Sequence, residues 1–303
     1  MDSIRPVTDL PDSVTLTTGE GDLPVLRVAT PAATAELYLN GAHVTAWTPA
    51  GERPVLWMSN HSEFAPGSAI RGGIPVCFPW FGAGREPGLA PPAHGFARLA
   101  GWRLVGAEDR DDVVTLTLQL ATADVAGLEP AAAWPHDFEA TYTVRVGREL
   151  HVDLTVRNTG DSAFSYEEAL HTYFAVADAR TTRVLGLDGA AYLDKAPGAG
   201  PDLVTQHGAV TFEAETDRVY RSTATALVDD AAGGRVIGIA KEGSAHTVVW
   251  NPWIDKAAAM ADYGDDEWPG MVCVETANVL DEAITLAPGS QRTMAVTYTV
   301  SDE

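Results

Sequence analysis

Two arginines, two histidines and two carboxylates stand in segments whose chemistry can be named before any fold is known. Arg71 lies in Ser68-Ala69-Ile70-Arg71-Gly72-Gly73-Ile74-Pro75, a run that continues through Val76-Cys77-Phe78-Pro79-Trp80-Phe81-Gly82. Arg98 closes the stretch His94-Gly95-Phe96-Ala97-Arg98. A guanidinium presents a flat fork of donors that fits an anionic oxygen group, and glycine and proline stiffen the loops that carry both of these. In an acidic chain, paired arginines in glycine turns predict a site for a small anion. Phe78, Trp80 and Phe81 supply apolar walls of the kind that sugar faces meet in pockets, and core packing explains all three at least as well.

Three further segments carry groups able to move protons. Glu168-Ala169-Leu170-His171-Thr172-Tyr173-Phe174 sets His171 among apolar and aromatic neighbours. Thr216-Asp217-Arg218-Val219-Tyr220 carries Asp217, and Met271-Val272-Cys273-Val274-Glu275-Thr276-Ala277-Asn278 carries Glu275. A carboxylate at the end of an apolar run is costly unless it is paired or hydrogen-bonded. One imidazole and one carboxylate at strand ends make an acid–base pair. Each also has a plain structural explanation: His171 as a satisfied core histidine, Glu275 as the charged lip of a strand, Asp217 as a turn-forming residue. Residue type alone leaves these open.

The surrounding composition narrows the class. The 303 residues carry 20 Lys and Arg against 42 Asp and Glu, a net charge of −22. That argues against nucleic acid and anionic membrane as partners, since both call for a basic face. Lysine occurs only at Lys195, Lys241 and Lys256, which reads as a composition bias or an adaptation to salt. Cys77 and Cys273 both sit in apolar runs and are expected as buried free thiols. No zinc-ligand spacing exists, and neither a metal nor an organic cofactor is expected. The start, Met1-Asp2-Ser3-Ile4-Arg5-Pro6, lacks the basic and apolar regions of a secretory leader. The chain is expected to be cytoplasmic, to act as a monomer, and to have no membrane contact.

The elements that must position these groups read as strands. Val114, Leu116, Leu118 and Leu120 alternate with polar residues, as do Phe138 to Val146, Leu150 to Val156 and Met294 to Val300. Alternation of period two predicts strands with one buried face. Gly147-Arg148-Glu149 predicts a hairpin between two of them, and Gly233-Gly234 predicts another between residues 226–230 and 235–241. Helix signals are poor apart from residues 253–262, and no helical crossover separates the strands, so a parallel sheet is not expected. The glycine- and proline-rich pieces at 82–92 and 197–201 read as loops. The expected architecture is all-β: one domain over residues 1–303, with a core from about 22 to 301, built as a large antiparallel sandwich of two stacked sheets.

Taken in order, Ile70-Arg71-Gly72-Gly73-Ile74-Pro75-Val76-Cys77-Phe78-Pro79, His94-Gly95-Phe96-Ala97-Arg98, Leu170-His171-Thr172-Tyr173-Phe174, Thr216-Asp217-Arg218-Val219-Tyr220, Trp250-Asn251-Pro252-Trp253 and Val274-Glu275-Thr276-Ala277-Asn278 resemble the hexose-6-phosphate mutarotases of the aldose 1-epimerase superfamily. The resemblance runs from about Phe64 to Val279. It implies a β-supersandwich, with His171 and Glu275 as the catalytic pair and Asp217 helping to hold the sugar. It also implies Arg71 and Arg98 as substrate ligands through a phosphate, with His94 and Trp80 beside them. Two positions depart from the family pattern: Ala93 stands where relatives often carry a polar residue such as Gln, and Trp80 where some have Gln.

The activity implied is interconversion of the α and β anomers of hexose 6-phosphates, glucose 6-phosphate first, by ring opening and closure. Glu275 takes the proton of the C1 hydroxyl and His171 protonates the ring oxygen. The competing readings are an aldose 1-epimerase for unphosphorylated sugars and a non-catalytic carbohydrate-binding module. A glycoside hydrolase would need a second carboxylate, for which Asp217, Glu167 and Glu168 are loose candidates.

Overall fold

A computed structural model describes residues 9–84 and 92–302. The amino-terminal hexapeptide read above, and most of the 82–92 segment, lie outside the described residues. Two eight-stranded antiparallel sheets dominate, with a four-stranded meander and a two-stranded pair beside them. This is the supersandwich expected from the sequence. Strands start earlier than the pattern suggested, at Val14–Thr18, where Val14 already packs into the main core.

The first large sheet follows the alternation. Its spatial order is Arg183–Leu185, Ala226–Asp230, Arg235–Glu242, Gln291–Asp302, Leu150–Asn158, Phe138–Val146, Val113–Ala121 and Arg103–Arg110. Along Phe138–Val146 and Leu150–Asn158, every second residue is buried. Those inward residues form the main core with the second sheet and the meander. Both predicted hairpins are present: Val146 pairs with Leu150, and Asp230 with Arg235. The Trp47 indole N–H donates to the Gly147 carbonyl at 3.1 Å, tying the meander to the first hairpin.

The second large sheet runs Leu203–Thr205, Ala191–Asp194, Thr216–Arg221, His246–Asn251, Met271–Asn278, Glu168–Leu170 and Val76–Cys77. Tyr173–Ala175 also pairs with Met271–Asn278. Every residue of Met271–Asn278 is buried, because this sheet is covered on both faces. Val272 and Val274 point into the main core, whereas Cys273 and Ala277 belong to separate clusters on the opposite face. The helix foreseen at 253–262 is shorter, Trp253–Ala259. Among the described residues no helix is long and apolar enough to cross a membrane.

Candidate active site

His171 and Glu275 meet because of strand register. Leu170 pairs with Thr276, and Tyr173 with Cys273, on one antiparallel ladder. The same register sets His171 directly across from Glu275, where side chains of neighbouring strands touch. The ladder breaks at this point: the His171 N–H donates to the Pro75 carbonyl at 3.0 Å. Thr172, pointing the other way, shares a 2.6 Å hydrogen bond with the Tyr298 hydroxyl of the first sheet. The His171 ring stacks on Tyr173, with centroids 4.8 Å apart. These contacts fix the imidazole, and its Nε2 lies 3.4 Å from Glu275 Oε1. That is an ion-pair distance, longer than a tight charge-assisted hydrogen bond.

Both groups border a cavity of about 330 Å³. Arg71, His94, Arg98 and Asp217 line it with them, as do Phe81 and Trp250. Six of the seven residues singled out in the sequence therefore converge. Trp80 is the exception and corrects the expectation. It lies in the main core, 3% exposed, and its indole N–H donates to the Pro92 carbonyl at 3.1 Å. The cause is parity. Val76, Phe78 and Trp80 face the main core, whereas Cys77 and Phe81 face the site side. Of the three aromatic walls proposed, only Phe81 borders the cavity.

The glycines of both arginine segments allow close backbone approach. Gly73 has φ +59°, and a Cβ there would come within 2.2 Å of the Val44 carbonyl oxygen. Gly95 has φ +73°, and a Cβ there would meet the Phe78 carbonyl oxygen at 2.1 Å. The first seats the Arg71 loop on the meander; the second docks the His94–Arg98 segment against Phe78. His94 itself takes a left-handed φ of +65°, unusual for a residue with a Cβ. The Gly82 N–H donates to His94 Nδ1 at 3.4 Å. An N–H can only donate, so Nδ1 is the acceptor and the neutral ring carries its proton on Nε2.

Burial sets the electrostatics. It drives the His171 imidazole well below the usual histidine range, with Arg71 and Arg98 adding to the effect. His94 is likewise held well down by burial, then by Arg98. Burial pushes the Glu275 carboxyl well up, Asp217 pushes it further, and Lys195 opposes. Asp217 is also raised, chiefly by burial. The pair therefore shares one proton, with its neutral arrangement favoured until charge enters the cavity. Glu275 Oε2 and His171 Nδ1 are buried and have no hydrogen-bond partner. Buried polar atoms are rarely left so, and these two border a cavity that a ligand can enter.

Arg71 is more committed than an anion ligand need be. Its Nε and Nη2 donate to Asp262 at 2.9–3.2 Å and its Nη1 donates to the Tyr173 hydroxyl at 2.9 Å. Arg98 donates through Nη2 to the Ala93 carbonyl at 2.7 Å, and its Nε is buried without a partner. Asn278 donates to Glu168 and to the Gly243 carbonyl and so holds the end of the strand that carries Glu275. Lys195 and Lys256 also line the cavity and went unrecognised in the sequence. The signal was there: they are two of only three lysines in the chain.

Comparison with known proteins places the chain among similar sequences and folds. Residues 24–299 match the family described as aldose 1-epimerase. An Escherichia coli K12 protein named "Putative glucose-6-phosphate 1-epimerase" is 40% identical over 257 residues, covering 84% of this chain and 83% of its own. A protein of the same name from Cenchrus ciliaris is 38% identical over 273 residues, 85% of this chain and 78% of its own. A crystal structure of a "putative mutarotase (YeaD)" from Salmonella typhimurium superposes with a TM-score of 0.87 at 32% identity, covering 99% of this chain and 97% of that one.

Proposed function

Because the chain belongs to the aldose 1-epimerase family, we propose that it interconverts the α and β anomers of hexose 6-phosphates, glucose 6-phosphate first among them. The observation that carries this reading is the His171–Glu275 pair, 3.4 Å apart, beside a cavity lined by four cations in a chain of net charge −22. An acid–base pair suits ring opening. The cations suit a substrate with between one and two negative charges, which the rest of the protein repels.

In the forward direction Glu275 accepts the proton of the C1 hydroxyl, and the imidazolium of His171 delivers one to the ring oxygen. The C1–O5 bond breaks and the electron pair of the former C1 hydroxyl forms the aldehyde. Rotation about C1–C2 presents the other carbonyl face. Closure then returns both protons, leaving the pair as it began. The resting pair holds the one proton this needs, and the reaction runs from the charged arrangement in which His171 carries it. Positioned proton transfer of this kind contributes about 10²–10⁴-fold. His94, with its proton on Nε2, donates to a sugar oxygen, and Asp217 accepts from a hydroxyl. Arg71 and Arg98 take the phosphate side, each charged hydrogen bond contributing about 1.5–3 kcal/mol. All these groups come from one chain, so a monomer suffices.

Exchange NMR on the two anomers of glucose 6-phosphate tests the reading. Saturation transfer should speed up on adding enzyme, and His171→Ala should abolish the effect while ligand binding persists. Wild-type exchange rates in the His171→Ala variant would overturn it. One observation favours a second reading, an epimerase of free sugars: Arg71 is already held by Asp262 and Tyr173. The same experiment on free glucose separates the two.

A further inference from the structure

The four cations lining the cavity differ in what already holds them. Arg71 is held by Asp262 and Tyr173 through three nitrogens. Lys256 is ion-paired with Glu215 at 2.7 Å. Arg98 spends one nitrogen on the Ala93 carbonyl. The Lys195 ammonium makes no hydrogen bond and no ion pair among the described residues; it stands 5.3 Å from the centre of the Phe81 ring. Its root is nonetheless fixed. The Lys195 N–H donates to the Asp217 carbonyl at 2.7 Å, just past the Ala191–Asp194 strand that pairs with Thr216–Arg221.

A fixed backbone carrying an unclaimed charge is what an anion subsite needs. An arginine taken from a carboxylate forfeits that pair before it gains a phosphate, and leaves a half-buried carboxylate behind. The Lys195 ammonium gives up no ion pair for the new bond, only its cation–π contact with Phe81 and some hydration. Lys195 is also exposed, so it can turn toward an arriving ligand at little cost. Its charge bears on the chemistry as well: it opposes the upward push on Glu275 and adds to the downward push on His171.

Resting on the sugar-phosphate reading above, we propose that Lys195 is a further specificity-determining residue of this cavity, its ammonium taking a phosphate oxygen beside Arg71 and Arg98 and so adding to the separation of sugar phosphates from free sugars.

The test compares kcat/KM for glucose 6-phosphate with that for glucose, in wild type, Lys195→Met and Lys195→Arg. The Met variant should lower the ratio about ten- to a hundredfold, the size of one charge-assisted hydrogen bond, and the Arg variant should restore most of it. Removing the charge should also move both limbs of the kcat pH profile upward, because Glu275 and His171 both titrate higher without it. A Met variant with an unchanged ratio, or one that loses activity on both sugars equally, overturns the inference while the sugar-phosphate reading stands. A wild type that turns over both sugars equally well overturns that reading and the inference together.

Discussion

The two eight-stranded sheets have the same strand count and opposite characters. In the first, Phe138–Val146 and Leu150–Asn158 alternate between core and wetter positions, and the chain spends its polar residues on the outer face. In the second, Met271–Asn278 is buried from end to end, yet carries Glu275, Thr276 and Asn278. A strand covered on both faces has no solvent side on which to put a carboxylate. Keeping one there costs stability unless something answers it, and what answers Glu275 is a histidine on the facing register and a cavity. From Phe138 to Asn158 the first sheet buries mainly methyl groups and rings for stability; Met271–Asn278 holds in Glu275 a carboxyl whose cost a catalytic role explains.

Two substitutions break that comparison from opposite sides. Glu275→Gln should reduce exchange of glucose 6-phosphate anomers by about 10²–10⁴-fold, the worth of one proton-transfer group. The melting temperature should not fall, since an amide is cheaper to bury than a carboxylate held far above its usual range. Leu154→Ala, in the fully buried row of the first sheet, should do the reverse. It should cost about 2–5 kcal/mol of stability through lost burial and a cavity, with kcat/KM per folded molecule unchanged. Denaturant melts and exchange NMR on the same samples check both. If Glu275→Gln were strongly destabilised, or Leu154→Ala lost its turnover, the division of labour between the sheets would be wrong.

The first sheet was the legible one. Alternation at Val114–Leu120 and Phe138–Val156, with glycine-bearing breaks, is enough to give its central strands, its hairpins and their inward faces, whereas the edge strands Arg103–Arg110 and Arg183–Leu185 show no such pattern and went unread. The second sheet has little alternation to read, and its site residues came through local motifs and their family resemblance. What the sequence did not disclose was partnership across distance. Arg71 and Asp262 are 191 positions apart, and nothing in the Ala261-Asp262-Tyr263 turn marks the acid as the guanidinium's partner. Lys195 carried a signal in its rarity, which a composition count alone turns into background. Trp80 failed for a simpler reason. Type suggested a sugar wall, but its position two and four residues after Phe78 and Val76 put it on the core side of the same extended run.

Smaller effects sharpen the contrast within the site. Arg98→Ala should raise KM for glucose 6-phosphate about tenfold or more, leaving KM for glucose unchanged. Arg98 is a cleaner probe than Arg71, whose removal strands Asp262. Equal KM changes for both sugars would take the phosphate role from Arg98. Asp217→Asn should move the acid limb of the kcat profile to lower pH. The Asp217 charge helps push Glu275 up. Without it the base ionises at lower pH, and it must be ionised to accept the C1 proton. An acid limb that stayed in place would mean that the limb reports another group.

The smallest expected effect probes the parity of the run from Val76 to Phe81. Trp80→Phe keeps the ring in the core and removes the N–H that the Pro92 carbonyl accepts. It should cost about 0.5–1.5 kcal/mol, one neutral hydrogen bond, with KM for both sugars at the wild-type value. Phe81→Leu, one residue on and bordering the cavity, should raise KM because the apolar wall shrinks; it thins only the small cluster around Cys77 and Val248 and leaves the main core untouched. The two variants together test whether a single step along an extended chain separates packing from recognition. A KM increase in Trp80→Phe without a stability loss would return the indole to the sugar and take away the parity explanation.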